Sequence, residues 1–177
     1  FSCVLIGLFV LISSASADTL GQVQSFNTNE TFDKTSRKSI SATLHHIGQN
    51  AYFYVDDKYW DSLNFIGKEK MSENMLKLSN EFDNNIYPKE TSFWGQEPKP
   101  GVDGENKIFI LLEHLKEGHG GYFSTSNGYS KSTSSNSNEK EMIFLNAESL
   151  FGAYSHVFLA HEFQHLISFN QKELLRN

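Results

Sequence analysis

The chain has 177 residues, of which 38% are hydrophobic and 20% are charged, and its formal net charge at pH 7 is -6. This balance is typical of a globular domain, and the acidic excess excludes a protein that binds nucleic-acid phosphates through a basic surface. The single cysteine, Cys3, excludes both an intrachain disulfide framework and a zinc site built from several thiolates. A metal site in this chain would therefore use histidine and carboxylate ligands.

The N-terminal residues have the pattern of an export signal. An apolar run over residues 4–12 leads into Ala15-Ser16-Ala17, the small-x-small pattern at which signal peptidase cleaves. The run is shorter than the ~20 apolar residues of a membrane-spanning helix, so we expect no stable membrane insertion after cleavage. Because no Met or basic residue precedes the run, we expect residues 1–17 to be an N-terminally truncated signal peptide. The predicted protein is secreted, periplasmic or at the cell surface, and the lack of further cysteines favours bacterial export.

The next elements predict the order strand, helix, strand. Residues 18–40 are polar with scattered apolar positions, which is typical of a linker or short pro-segment. Residues 41–55 are rich in β-branched and aromatic side chains and predict a strand. Apolar residues then recur at helical spacing up to Pro88, where we expect the helix to end. They are Met71, Met75, Leu78, Phe82 and Ile86.

A second series of elements follows a proline- and glycine-rich loop at residues 94–105. Residues 107–112 predict a buried strand, and residues 118–138, rich in Gly, Ser and Asn, predict a long flexible surface loop. Residues 142–146 predict another strand, and a helix is expected from about Ser149. Within that helix Leu159, Phe163 and Leu166 share one face that can point to a core.

The same helix carries the sequence His161-Glu162-Phe163-Gln164-His165, an HExxH motif. Two histidines four residues apart on a helix project from one face, so both imidazoles can reach a single zinc ion. Glu162 lies beside that face and is the candidate catalytic general base, acting on a zinc-activated water. The alternative is a helix that carries two incidental histidines.

The motif and its context resemble the zincin metallopeptidases. The string His161-Glu162-Phe163-Gln164-His165-Leu166-Ile167 is similar to the hyicolysin-type bacterial peptidases, and the resemblance covers residues 41–177. It implies an α+β fold corresponding to the N-terminal zincin subdomain, with a mixed sheet whose edge strand lies beside the HExxH helix. It also implies that the strand before that helix is the edge strand and binds an extended peptide substrate. By position these substrate-binding residues are Met142, Ile143, Phe144, Leu145 and Asn146.

The resemblance also implies where the third zinc ligand lies. Metzincins continue as HExxHxxGxxH, whereas this chain has Ser168 and Gln171 at the last two fixed positions, so a gluzincin-like arrangement is implied. There the third ligand is a Glu on a later helix. Glu173 would stand ~12 Å along the helix axis from His165, too far for the same metal. We therefore expect the third ligand beyond Asn177, in a missing C-terminal subdomain, and a chain truncated at both ends.

Other chemistry-bearing residues leave alternatives open. Asp103-Gly104-Glu105-Asn106 offers oxygen ligands for calcium, although Asp-Gly is also an ordinary turn. His114 and His119 could hydrogen-bond a substrate or simply belong to a surface loop. His156 is about 140° around the helix from His161, which favours a packed or solvated side chain over a ligand.

These observations predict an exported zinc-dependent endopeptidase that acts on peptide or protein substrates. The alternative from another class is a non-catalytic zincin-like domain that binds a peptide or a surface polymer. The expected cofactor is zinc, and no nucleic-acid partner is expected.

Overall fold

The computed structural model describes residues 17–176, and it confirms the predicted α+β class. The predicted signal peptide lies outside the described residues except for Ala17. The described strands are β1 (Val23–Asn27), β2 (Ser39–Ile47), β3 (Ala51–Asp56), β4 (Ile108–Glu113), β5 (Gly121–Phe123) and β6 (Met142–Asn146). The described α-helices are α1 (Asp57–Ser62), α2 (Phe65–Glu81), α3 (Tyr87–Trp94) and α4 (Ser155–Leu174). None of the described helices is long and apolar enough to cross a membrane.

The strands form one mixed sheet in the order β1-β2-β3-β4-β6-β5. The three central strands, β3, β4 and β6, are parallel, whereas β1, β2 and β5 pair antiparallel with their neighbours. Every residue of the central strands is buried. This explains their continuous apolar sequences, because a parallel strand covered on both faces has no solvent side to alternate with.

The two faces of the sheet have separate cores. Alternate strand residues such as Phe53, Ile110 and Ile143 pack with the helices, including Phe163 of α4. The opposite face is mainly aromatic, and its cluster includes Tyr54, Phe109, Tyr122 and Phe144. The alternation of side chains along each strand therefore decides which residues can face α4.

Residues 18–40 contribute β1 and the start of β2 to the folded sheet, which corrects the expectation of a linker. Strand β1 pairs with β2 from Val23 opposite Thr43 to Asn27 opposite Ser39. The following turn buries Asp33, whose carboxylate accepts a 2.6 Å bond from Arg37. The apolar signal was weak because only Phe26 of this short strand is fully buried. Its assignment as a pro-segment stays a prediction.

The single strand predicted over residues 41–55 is a hairpin of two strands. The turn begins at Gly48, where a Cβ atom would lie 2.5 Å from the Ser79 hydroxyl oxygen of α2. The carboxylate of Asp83 accepts hydrogen bonds from the backbone N–H groups of Gln49 and Asn50. A side chain distant in sequence therefore stabilises a turn that lacks a strong local signature.

The helix predicted to end before Pro88 continues to Trp94. The face from Met71 to Ile86 is buried as expected, but residues Phe82–Ile86 form a π-helical segment. Pro88 then lies in the first turn of α3. The missing N–H of a proline is tolerated in a first turn, so the chain remains helical.

Strand β5 lies within residues 118–138, which were expected to form a flexible loop. It pairs antiparallel with β6 from Gly121 opposite Leu145 to Phe123 opposite Ile143. Strand β6 also pairs with β4, so both of its edges are occupied. The prediction that Met142 to Asn146 form an edge strand is therefore wrong. The terminal strand of the described sheet on this side is β5.

Candidate metal centre

Helix α4 is oriented by its apolar face. Leu159, Phe163 and Leu166 are buried against the helix-side core, as their spacing predicts. This places His161 and His165 on a neighbouring face, where both residues are exposed. The sequence folds this way because burying three large apolar side chains stabilises the helix on the sheet and leaves the polar face accessible.

The two histidines converge on one point. Their Nε2 atoms are 3.1 Å apart and their ring centroids 4.6 Å apart. Nitrogens at this separation can both lie ~2.0–2.1 Å from one zinc ion. Imidazole nitrogens also suit zinc better than they suit magnesium or calcium. The pair therefore fits two ligands of one zinc ion, the cofactor implied by the motif.

Glu162 projects from α4 toward the sheet side of the pair. The residue is 8% exposed, in contrast to the two exposed histidines that flank it in the motif. Burial raises the pKa of its carboxyl group, and the neighbouring His161 opposes that shift. A largely buried carboxylate beside an exposed histidine pair is suited to accept a proton from a water molecule.

Gly121 brings β5 into close contact with Glu162. A Cβ atom at Gly121 would lie 2.7 Å from the Phe144 carbonyl oxygen and 3.2 Å from Glu162 Cγ. Only glycine permits this approach without displacing the backbone, since the nearest atom belongs to β6. The Gly120-Gly121 pair in the sequence was the available signal, but its contact with Glu162 depends on the tertiary structure.

The residues predicted to bind substrate instead support β5. Met142, Ile143, Phe144, Leu145 and Asn146 are all buried. Asn146 donates from its backbone N–H to the Gly120 carbonyl and from Nδ2 to the His119 carbonyl. These bonds hold the turn that leads into β5. Strand β6, which was predicted to bind substrate, therefore positions the terminal strand β5 and has no unpaired edge of its own.

The other candidate histidines are His114, His119 and His156. His114 Nε2 lies 3.0 Å from Glu148 Oε1, and the His119 ring packs 5.0 Å from that of Phe32. His156 is exposed in the first turn of α4 and lines a cavity with α2. None of these contacts brings a further imidazole to the His161–His165 pair.

The acidic turn at residues 103–106 is engaged by protein groups. Asp103 accepts hydrogen bonds from the Glu105 backbone N–H at 2.9 Å and from Lys140 Nζ at 3.2 Å. Glu105 Oε2 is 3.4 Å from the Tyr52 hydroxyl. In residues 17–176 no group of three His, Cys, Asp or Glu side chains is arranged to hold a metal ion. We therefore assign no calcium site to this turn, and the His161–His165 pair has no third metal-ligating side chain within the described range.

The chain is similar to a neutral metalloprotease. It is 28% identical over 179 aligned residues to the neutral metalloprotease ShpI of Staphylococcus hyicus, and the alignment covers 92% of this chain. The chain spans 37% of the length of that relative. No protein-family model matches the chain. The similarity supports a metallopeptidase relationship for a fold that is compatible with part of a metalloprotease.

Proposed function

We propose that this chain carries the metal-binding helix of an exported zinc-dependent endopeptidase. The observation that carries the proposal is the pair of Nε2 atoms of His161 and His165, 3.1 Å apart, with the buried Glu162 between them in sequence. Similarity to a protein named as a neutral metalloprotease supports the same class. The proposal includes a third protein ligand, a Glu that lies outside residues 17–176.

His161 and His165 hold the zinc in this proposal through neutral ring nitrogens. Burial lowers the pKa of His165, and nearby His161 and Lys172 lower it further, which favours the unprotonated form that can bind a metal. When bound, zinc supplies a Lewis acid that polarises a peptide carbonyl and lowers the pKa of a coordinated water.

In this proposal Glu162 acts first as a general base and then as a general acid. Its carboxylate accepts a proton from the attacking water and then delivers it to the departing amine, so the leaving group departs as a neutral amine. The contact with Gly121 limits the space available to the Glu162 side chain on the β5 side. Because the Glu162 side chain has few accessible conformations, its carboxylate loses less conformational entropy when it hydrogen-bonds the reacting water.

Strand β5 binds the extended peptide substrate in this proposal. It is the terminal strand of the described sheet on the α4 side, and it packs directly against Glu162. A terminal strand offers main-chain N–H and C=O groups that bind a peptide largely irrespective of its side chains. This assignment replaces the one made for Met142 to Asn146.

Zinc stoichiometry in the full-length protein tests the proposal. His161→Ala should abolish the single tightly bound zinc measured by emission spectroscopy, because loss of one protein ligand removes both a bond and the coordination geometry. His156→Ala is the matched control, since His156 is exposed on the same helix. One tightly bound zinc per chain in His161→Ala would overturn the assignment. Stoichiometric zinc without hydrolysis of any peptide in a broad library would favour the non-catalytic binding domain.

A further inference from the structure

A cavity of about 360 Å³ lies directly beside His165. Its lining includes Phe123 of β5, Tyr129, and Phe169 and Lys172 of α4. The volume falls within the range of small-molecule and side-chain sites, ~300–1,000 Å³. Because His165 and Phe123 both line it, the cavity adjoins one proposed zinc ligand and the terminal strand.

Aromatic side chains give the cavity a defined apolar wall. The Phe169 ring centroid is 6.0 Å from that of Phe123 and 5.5 Å from that of Tyr129, with the Tyr129 ring nearly perpendicular. A Cβ atom at Gly128 would lie 2.8 Å from Phe169 Cε1. The segment after β5 therefore packs closely on α4, and the wall can accommodate the methylene groups of a long side chain.

The charge at the cavity is positive. Arg176 donates a 2.8 Å bond to Glu173, so these two lining residues offset each other. Lys172 is exposed and lines the same cavity. The net cation that faces the cavity is therefore Lys172.

The spacing of residues along β5 gives the distance between the cavity and the proposed reacting groups. Gly121 contacts Glu162, whereas Phe123 lines the cavity two residues further along the strand. Two residues of a strand span about 6.6–6.8 Å, and their side chains point to the same face. A peptide bound along β5 with its scissile bond at Glu162 would therefore place a side chain in the cavity one or two residues away.

We propose that this cavity is a specificity subsite for a glutamate side chain of the substrate, within two residues of the scissile bond. The carboxylate meets Lys172, and the methylene groups pack on Phe123, Tyr129 and Phe169. The inference rests on the proposed peptidase function, but it makes a separate claim about which peptides bind.

Paired peptides test the subsite in the full-length protein. The two peptides of a pair are identical except at one position, where one has Glu and the other has Gln. The varied position is one of the four that lie within two residues of the scissile bond. We expect kcat/KM to be about threefold higher for Glu at one of these positions, since an exposed ion pair contributes little more. The preference should disappear in Lys172→Glu and weaken at about 1 M NaCl, where exposed charges are screened. Lys70→Glu makes the same charge change on an exposed face of α2 and should keep the preference.

Equal rates for Glu and Gln at every position would overturn the subsite, as would a Glu preference that survives in Lys172→Glu. If the full-length protein hydrolyses no peptide, the peptidase proposal fails separately. The subsite is then judged by fluorescence anisotropy of the same peptide pairs bound to the Glu162→Gln protein. Tighter binding of the Glu peptide that Lys172→Glu removes would support the subsite, and equal affinities would overturn it.

Discussion

The Tyr122 hydroxyl donates a 2.9 Å hydrogen bond to Glu113 Oε2 across the aromatic face of the sheet. Tyr122 lies on β5 and Glu113 on β4, so the bond ties the terminal strand to a central strand past β6. Both side chains lie in the buried interior on the side opposite α4. Strand β5, which borders Glu162, is therefore held by this hydrogen bond on the face opposite α4 as well as by its backbone pairing with β6.

Burial of Glu113 predicts a progressive loss of stability as the pH rises from about 4.5 to about 8. Burial raises the pKa of Glu113 from 4.5 to about 8, while the Tyr122 bond opposes the shift and nearby Asp33 adds to it. The resulting stabilisation is complete below about pH 4.5 and is lost as pH rises through about 8. The loss amounts to a few kcal/mol, at about 1.4 kcal/mol per pKa unit.

Glu113→Gln should remove most of this pH dependence, because the amide keeps an acceptor for Tyr122 and cannot ionise. Urea unfolding between pH 5 and about 9 gives the free energy of unfolding of wild type and variant at each pH. Subtracting one from the other cancels the contributions of the other titrating groups. Glu117→Gln, at an exposed position, should behave as wild type. Parallel pH profiles for wild type and Glu113→Gln would contradict the prediction.

Replacing the proposed general base should separate zinc binding from hydrolysis. In the full-length protein, Glu162→Gln should retain zinc, because this residue is not proposed to bind the metal. Its kcat should fall by at least ~10²-fold, the lower end for loss of general-base catalysis. Glu69→Gln, on the exposed face of α2, is the control. Equal cleavage by wild type and Glu162→Gln would exclude the proposed role.

Binding of a peptide should protect β5 from hydrogen exchange. A substrate strand replaces water as the partner of the outward backbone amides in Gly121–Phe123. The amides of β6 should not change, since that strand is already paired on both edges. Strand β1, at the other end of the sheet, is the internal control. Protection of β1, or no protection of β5 at saturating peptide, would point to a different binding surface.

Adding one methyl group at Gly121 should disturb both stability and activity. Gly121→Ala places Cβ 2.7 Å from a backbone oxygen of β6 and 3.2 Å from Glu162 Cγ, so β5 must shift relative to both. We expect a loss of about 1–3 kcal/mol in the free energy of unfolding, as is typical of overpacking, and a kcat/KM lowered by about tenfold or more. Gly152→Ala is the control, because its Cβ would have an ordinary 3.5 Å contact. Wild-type stability and activity in Gly121→Ala would show that the close approach is not needed.

The sequence by itself determined the local periodic features. The spacing of Leu159, Phe163 and Leu166 predicted which face of α4 is buried, and the four-residue spacing placed His161 beside His165. These features depend on residues within two turns of one helix, whose geometry is fixed by backbone hydrogen bonds. The continuous apolar sequences likewise predicted a buried strand at β4 and a strand at β6.

Only the tertiary structure decided which strand ends the sheet. Residues 142–146 form a strong strand signal, yet the three-residue β5 covers their free edge and takes the terminal position. Pairing between segments distant in sequence is selected by the packing of whole faces, and a strand of only three residues is too short to show an alternating apolar pattern. The contacts of Gly121 with Glu162 and of Tyr122 with Glu113 arise only once that pairing is fixed, because side chains on one short strand must alternate between the two faces of the sheet.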